Sequence, residues 1–295
     1  FATTPIYSGG NTCTVVFSVE SYRQTTIMNT QKPQILLTND DGIRSPGLWA
    51  AAAALETIGY VTVVAPREQS SGMGRSLPTT SDGIIAPENL EVNGRNWTVY
   101  AVGGTPAQAV LHGALEVLPH LPDLVVSGIN YGANIGSGVT ISGTVGAALE
   151  AAALRIPALA ISLDTKMEHH LSYSQEVDFS TAGHFAAYFG EKLLQKRMPD
   201  DVDVLKVEVP SGANPQTPWE ITRLSQVRYY HAEKPARTSW DQPTVLGYHI
   251  NEHWQDASLD SDVQALFTRQ HVSVTPLSLD LTSRTSFEAL EALLG

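Results

Sequence analysis

Two adjacent carboxylates, Asp40 and Asp41, follow the apolar run Ile35-Leu36-Leu37-Thr38 and stand between Asn39 and Gly42. Neighbouring like charges repel and lose hydration when buried, so a pair at the end of a strand calls for a cation. The same four residues are also good turn material, because Asn and Asp bond their own backbone and Gly accepts positive φ. Taken alone, the run supports a metal site and a tight turn equally.

Other loops supply matching chemistry. Ser70 or Ser71 offers a hydroxyl and Asn130 an amide oxygen, each soon after an apolar strand-like segment. Histidine and cysteine, the ligands zinc prefers, are absent from these positions, so the expected ion is Mg²⁺ or Mn²⁺, with Ca²⁺ as a third candidate. Such ions keep open positions for phosphate oxygens. Ser142-Gly143-Thr144 precedes an alanine-rich helical segment, so its hydroxyls and free N–H groups lie where a helix N-terminus would hold a phosphate. Gly104-Thr105 repeats the arrangement more weakly. Asn39, Gly42 and Asn134 complete the expected phosphate contacts, and the combination implies phosphoryl chemistry. The nucleotide-binding patterns G-x-x-x-x-G-K-[ST] and G-x-G-x-x-G are absent, as is the G-x-S-x-G nucleophile turn.

These loops need rigid elements behind them. Ser45-Pro46-Gly47 predicts a helix start, with a helix from Leu48 to Ile58 closed by Gly59, and Val61 to Ala65 predicts a second strand. Asn93-Gly94 is a hairpin turn, and Thr105-Pro106 opens a helix reaching about Val117. Leu124 to Ser127 and Ala158 to Ser162 are buried strands around a long Gly-rich loop and the helix Val145 to Leu154. Strand, loop and helix recur in order, which predicts a layered α/β sheet. Further on come a helix over Phe179 to Lys196, a strand at Val204 to Val209, and an extended arm from Thr238 to Ile250. A short helix at Asp262 to Phe267, a strand at Val272 to Leu277 and a terminal helix capped by Ser286 complete the chain. Of the five tryptophans, Trp240 is the best interface candidate. Glu150 reads either as support for the site or as a helix-surface carboxylate, and His169-His170 as an exposed loop pair.

The 295 residues carry 18 Lys+Arg against 30 Asp+Glu, a net charge of -12 that argues against general nucleic-acid binding. No run is long enough to span a bilayer, and the single cysteine, Cys13, excludes an internal disulfide. Together these predict a cytoplasmic protein without membrane or nucleic-acid partners. Residues 1-30 lack a period, are rich in Ser and Thr, and start at Phe1, which reads as a poorly ordered extension with Met28 as the natural start. The expected organisation is that extension, a catalytic core over 31-225, and a hairpin arm with a closing segment over 226-295.

The joint occurrence of Ile35-Leu36-Leu37-Thr38-Asn39-Asp40-Asp41-Gly42-Ile43, Val63-Val64-Ala65-Pro66, Gly104-Thr105-Pro106, Val126-Ser127-Gly128-Ile129-Asn130, Ser142-Gly143-Thr144-Val145 and Val272-Ser273-Val274-Thr275-Pro276-Leu277 resembles the SurE (survival protein E) nucleotidases. The resemblance implies a divalent-metal-dependent phosphatase of nucleoside monophosphates, a 5'- or 3'-nucleotidase, sometimes active on short polyphosphate. It implies Asp40, Asp41, Ser71 and Asn130 as metal ligands. It also implies a Rossmann-like, mainly parallel core whose C-terminal hairpin is exchanged between subunits, so the 238-250 arm would join a homodimer or homotetramer. The chain departs from the pattern at Ser70, where many relatives carry a basic residue, leaving that phosphate contact missing or taken over by Arg67 or Arg75. Two roles for Asp40 stay open: attack on phosphorus, or holding the ion. Two other readings are a non-catalytic nucleotide-binding regulator and a metal-dependent hydrolase of a substrate without phosphate.

Overall fold

The computed structural model describes residues 32–169, 174 and 176–295. The expectations for residues 1-30, Cys13 and Met28 among them, and for His170 lie outside these.

Strand β1 (Gln34–Thr38) leads through helix α1 (Pro46–Leu55) to β2 (Tyr60–Pro66). The hairpin β3 (Ile85–Val92) and β4 (Arg95–Val102) turns through Asn93 and Gly94, both at positive φ, as a two-residue hairpin requires. Helix α2 (Pro106–His112) starts with a complete capping box between Thr105 and Gln108 and runs on as a π-helical turn over Gly113–Val117. Then follow β5 (Leu124–Tyr131), α3 (Gly143–Ala153), β6 (Ala158–Leu163), α4 (Ser180–Gln195) and β7 (Val204–Val209). After β8 (Trp219–Ile221), strands β9 (Tyr230–Ala232) and β10 (Tyr248–Ile250) pair as a separate antiparallel ribbon. The arm expected over Thr238 to Ile250 is thus paired only at its end. Strand β11 (Val272–Leu277) and helix α5 (Phe287–Leu294), capped by Ser286 at Ala289, close the chain.

The main sheet has nine strands in the order β3-β4-β2-β1-β5-β6-β7-β11-β8. From β4 to β7 every neighbour is parallel, while β3 and β11 pair antiparallel with β4 and β7. This is the expected Rossmann-like, mainly parallel architecture with an added hairpin. Every residue of β5, β6 and β7 is buried, as helices on both faces demand. Leu37, Val126, Ile161 and Val207 pack toward α1 and α4, whereas Leu36, Val64, Val125 and Ala160 pack toward α2 and α3. Two-residue alternation in each strand therefore feeds two separate cores.

Some local expectations yield to tertiary packing. Ser45 occupies the N-cap of α1, but its side chain makes no cap hydrogen bond and its buried hydroxyl has no partner among the described residues. Glu150 is buried, not a surface carboxylate, and pairs with Arg75 at 2.6 Å. Trp49 and Trp97 pack edge to face inside the core, whereas Trp240 is 92% exposed.

Candidate active site

β1 has β2 on one side and β5 on the other, and the chain then extends the sheet outward in both directions. This is a topological switch point, and the crevice beyond the strand ends is where such sheets bind ligands. Asp40 and Asp41 follow β1, and Asn130 lies near the end of β5.

The backbone turn at the end of β1 is closed by Asn39. Its Nδ2 donates to the Gly42 carbonyl at 3.0 Å, and its Oδ1 accepts from the Gly42 amide at 3.2 Å. Asn39 is fully buried, and these bonds make it the brace of the aspartate turn. The turn-forming reading of Asn39-Asp40-Asp41-Gly42 is realised, and the turn carries both carboxylates as buried groups.

Helix α3 meets this turn directly. The Thr144 hydroxyl donates to Asp40 Oδ1 at 2.5 Å, and the amides of Gly143 and Thr144 also bond the Asp40 carboxylate. The helix N-terminus expected to cradle a phosphate thus holds a carboxylate of its own chain. A Cβ on Gly143 would lie 2.7 Å from Asp40 Cβ, so the close approach requires glycine there. Ser142 spends its hydroxyl on the cap, accepting from Val145 N at 3.1 Å.

Asp41 faces the other side, accepting from the Tyr131 amide at 3.3 Å and from Gln69 Nε2 at 3.4 Å. Next to it, Asn130 commits Nδ2 to the carbonyls of Tyr131 and Gly132 at 3.1 and 2.7 Å. Its oxygen is the atom left for a cation. A register irregularity between Ser127 and Asn130 in the β5–β6 pairing re-aims this end of β5. It depends on Gly128, whose φ of 137° and whose approach to the Ile161 carbonyl, 2.2 Å from a Cβ built there, admit no side chain. The Ser70 amide donates to the Asp40 carbonyl at 2.7 Å, which brings the loop of Ser70 and Ser71 to the aspartates. Ser70 turns its hydroxyl to the Glu68 carbonyl, and Ser71 is exposed beside it.

Burial raises the pKa of Asp40, against the opposing hydrogen bonds from Thr144 and Gly143. It raises that of Asp41 well above the usual carboxylate range, with the Asp40 charge adding to the effect. Two such groups are stable together only when a proton or a cation lies between them.

Gly104 belongs to a different wall. With Gly103, Arg67, Ser70 and Asp82 it lines an open polar cavity of about 250 Å³. Thr105 donates to the Ser76 carbonyl at 2.7 Å and caps α2, so its hydroxyl is occupied by structure. Of the two arginines considered as phosphate contacts, Arg67 pairs with Asp82 at 3.0 Å and Arg75 with Glu150.

Asn134 is tied down more firmly than its loop position suggests. Its amide donates to Glu208 Oε2 at 3.0 Å, its carbonyl accepts from Lys206 Nζ at 2.8 Å, and its Nδ2 reaches Ser162 Oγ at 3.0 Å. Lys206, Glu208 and Asp262 have fully buried side chains, and Lys206 Nζ lies 3.5 Å from Glu208 and 3.1 Å from Asp262. Sequence reasoning passed over these three. The signal was a lysine and a glutamate two apart in Val204-Leu205-Lys206-Val207-Glu208-Val209, on one face of a strand covered on both sides.

The family model described as survival protein SurE matches residues 35–231. The chain belongs to the SurE family. A SurE relative from Archaeoglobus fulgidus, named 5'-nucleotidase SurE, is 41% identical over 261 residues, covering 88% of this chain and 96% of that protein. Another of the same name, from Thermococcus kodakarensis, is 38% identical over 263 residues, covering 88% and 98%. The crystal structure of the SurE protein from Aquifex aeolicus matches with a TM-score of 0.69 and 32% identity, over 89% of this chain and all of that one. Among the described residues of this SurE chain, no helix is long and apolar enough to cross a membrane.

Proposed function

We propose that this SurE chain is a phosphoric monoester hydrolase that uses a divalent ion to release phosphate from nucleoside monophosphates. The observation that carries the reading is the pair Asp40 and Asp41, buried at the switch point, with Asp41 bonded to the amide of Tyr131, the residue after Asn130. The donor set fits a hard cation. It offers the carboxylate oxygens of Asp40 and Asp41 and the amide oxygen of Asn130. Asp40, Asp41 and Asn130 would hold the ion, with Ser71 as a fourth ligand from the adjoining loop. When bound, Mg²⁺ or Mn²⁺ polarises the phosphoryl group and stabilises charge on its oxygens.

The chain's own residues supply position. Three donors hold Asp40 and withdraw charge from it, which suits a fixed ligand better than a nucleophile that must swing toward phosphorus. Gly42, the Ser142 side of the turn before α3 and the Nδ2 group of Asn134 would orient the phosphate. The cavity beside Ser70 and Gly104 has room for a ribose or base next to it.

The 238–250 arm, with Trp240 92% and Val245 89% exposed, would be covered by a second copy of the chain in a homodimer or homotetramer. Phosphate release from nucleoside 5'- and 3'-monophosphates, p-nitrophenyl phosphate and short polyphosphate, with Mg²⁺, Mn²⁺ or EDTA, tests the activity. Release that requires the metal supports the reading. Tight nucleotide binding without turnover under every metal overturns it in favour of a regulator, and cleavage confined to phosphate-free substrates overturns it in favour of a different hydrolase.

A further inference from the structure

The strand that carries Lys206 and Glu208 is separated from β1 by two strands, β5 and β6, yet its charged pair governs the loop that follows β5. Glu208 accepts the amide of Asn134 while Lys206 donates to the carbonyl of the same residue, so the peptide groups on both sides of Asn134 are gripped from β7. Asp262 extends the grip by two residues, accepting the Gly136 amide at 2.9 Å, and it also accepts from Ser225 N and Val263 N. Ser162, on β6 between the two, takes the Asn134 side chain and lies 3.5 Å from Glu208 Oε1. A loop rich in glycine has little conformational preference of its own, and an external frame must choose its shape.

We propose that Lys206, Glu208 and Asp262 are positioning residues for phosphate, clamping the Asn134 backbone so that the loop from Gly132 to Ser142 is set before the substrate arrives. The cost of burying three charges is otherwise hard to account for, since well-packed apolar residues commonly stabilise as much. One lysine cannot neutralise two carboxylates, and Asp262, with three amide donors besides Lys206, is the better satisfied of them. The Glu208 carboxyl is therefore the member whose charge is dispensable while its oxygen is not. What it contributes is the acceptor for Asn134 N–H.

This inference rests on the reading of that loop as facing a phosphoryl group, so its test uses inorganic phosphate instead of turnover. In Glu208→Met the Lys206–Asp262 pair stays balanced, which favours folding, while the acceptor for Asn134 is lost. Glu208→Gln restores an oxygen at the same reach. Calorimetric titration with Mn²⁺ alone, then with phosphate in saturating Mn²⁺, should show Mn²⁺ affinity within about twofold of wild type in both variants. Phosphate affinity should fall about tenfold, the loss expected for one misplaced charge-assisted contact, in Glu208→Met, and return to within about twofold in Glu208→Gln. A folded Glu208→Met with unchanged phosphate affinity, or a Glu208→Gln as weak as Glu208→Met, overturns the inference. A wild type that binds Mn²⁺ and phosphate in this pattern but hydrolyses no monoester overturns the enzymatic reading and leaves the clamp standing.

Discussion

Thr144 donates its hydroxyl hydrogen to Asp40 across a sequence separation of 104 residues, joining the first turn of α3 to the aspartate turn after β1. The bond explains why a carboxylate with so little access to water is tolerated: a hydroxyl, two amides and the helix dipole all favour its charge. It also couples the rigidity of α3 to the geometry of the aspartate pair.

Thr144→Val removes the hydroxyl and keeps the shape. Activity should fall about 10- to 100-fold with a stability loss of about 1 kcal/mol, and Thr144→Ser should recover most of it. Steady-state kinetics beside thermal unfolding checks this; a Val variant with full activity would detach Thr144 from the site.

Replacing either aspartate separates stability from function. Asp41→Asn and Asp40→Asn remove a buried charge from a repelling pair, so the metal-free protein should gain stability while turnover drops by about 10³-fold or more. Unfolding in EDTA, paired with phosphate release in Mn²⁺, reads both at once. Retained turnover in Asp40→Asn removes it from the site.

The two raised carboxyl pKa values set a pH dependence with a definite sign. Their folded values lie above that of an ordinary aspartate, so the folded state binds their protons more tightly than the unfolded chain does. The metal-free protein therefore loses stability as pH climbs from the unfolded value through the raised ones. A divalent ion needs both groups charged, so the rise in Tm on adding Mn²⁺ should grow with pH and be absent in Asp41→Asn. Scans with EDTA or Mn²⁺ between about pH 5 and 8 decide it, a pH-independent shift counting against the ion site.

Glu208 makes a second, distinct pH signature. Burial raises its pKa from 4.5 to about 7, despite the Lys206 ammonium beside it. Folded protein should lose stability between those limits as pH rises, on the order of 3 kcal/mol, and Glu208→Gln should flatten that part of the curve. Denaturant unfolding of the two proteins across the range provides the difference. Parallel curves would place the Glu208 proton elsewhere.

Trp240 and Val245 are exposed on the stretch between β9 and β10. Trp240→Glu with Val245→Asp should shift the mass in light scattering toward the monomer, while the thermal transition of the main sheet is retained. An unchanged mass assigns subunit contact to another face.

Much of this was legible in the chain itself. Asn93-Gly94 admits little besides a hairpin turn, Thr105-Pro106 and Ser286 mark helix starts, and the apolar runs at 35–37, 124–126 and 158–161 are too short and too continuous for exposed elements. The aspartate pair and Asn130 stood out because their chemistry is misplaced at the end of buried strands. Local order of this kind is written in neighbouring residues.

What sequence spacing left undetermined are the contacts between distant elements. Ser142-Gly143-Thr144 has the composition of a phosphate cradle, and only the packing of α3 against β1 turns it toward Asp40. Lys206 and Glu208 look like surface charges until β7 is covered on both faces, and Asp262 joins them from another part of the chain. The sequence determined the strands, the turns and the oxygen-bearing residues placed after the strands, because these depend on residues a few positions apart. The tertiary structure alone decided which carboxylate meets which donor, because burial and long-range pairing exist only once the sheet has closed.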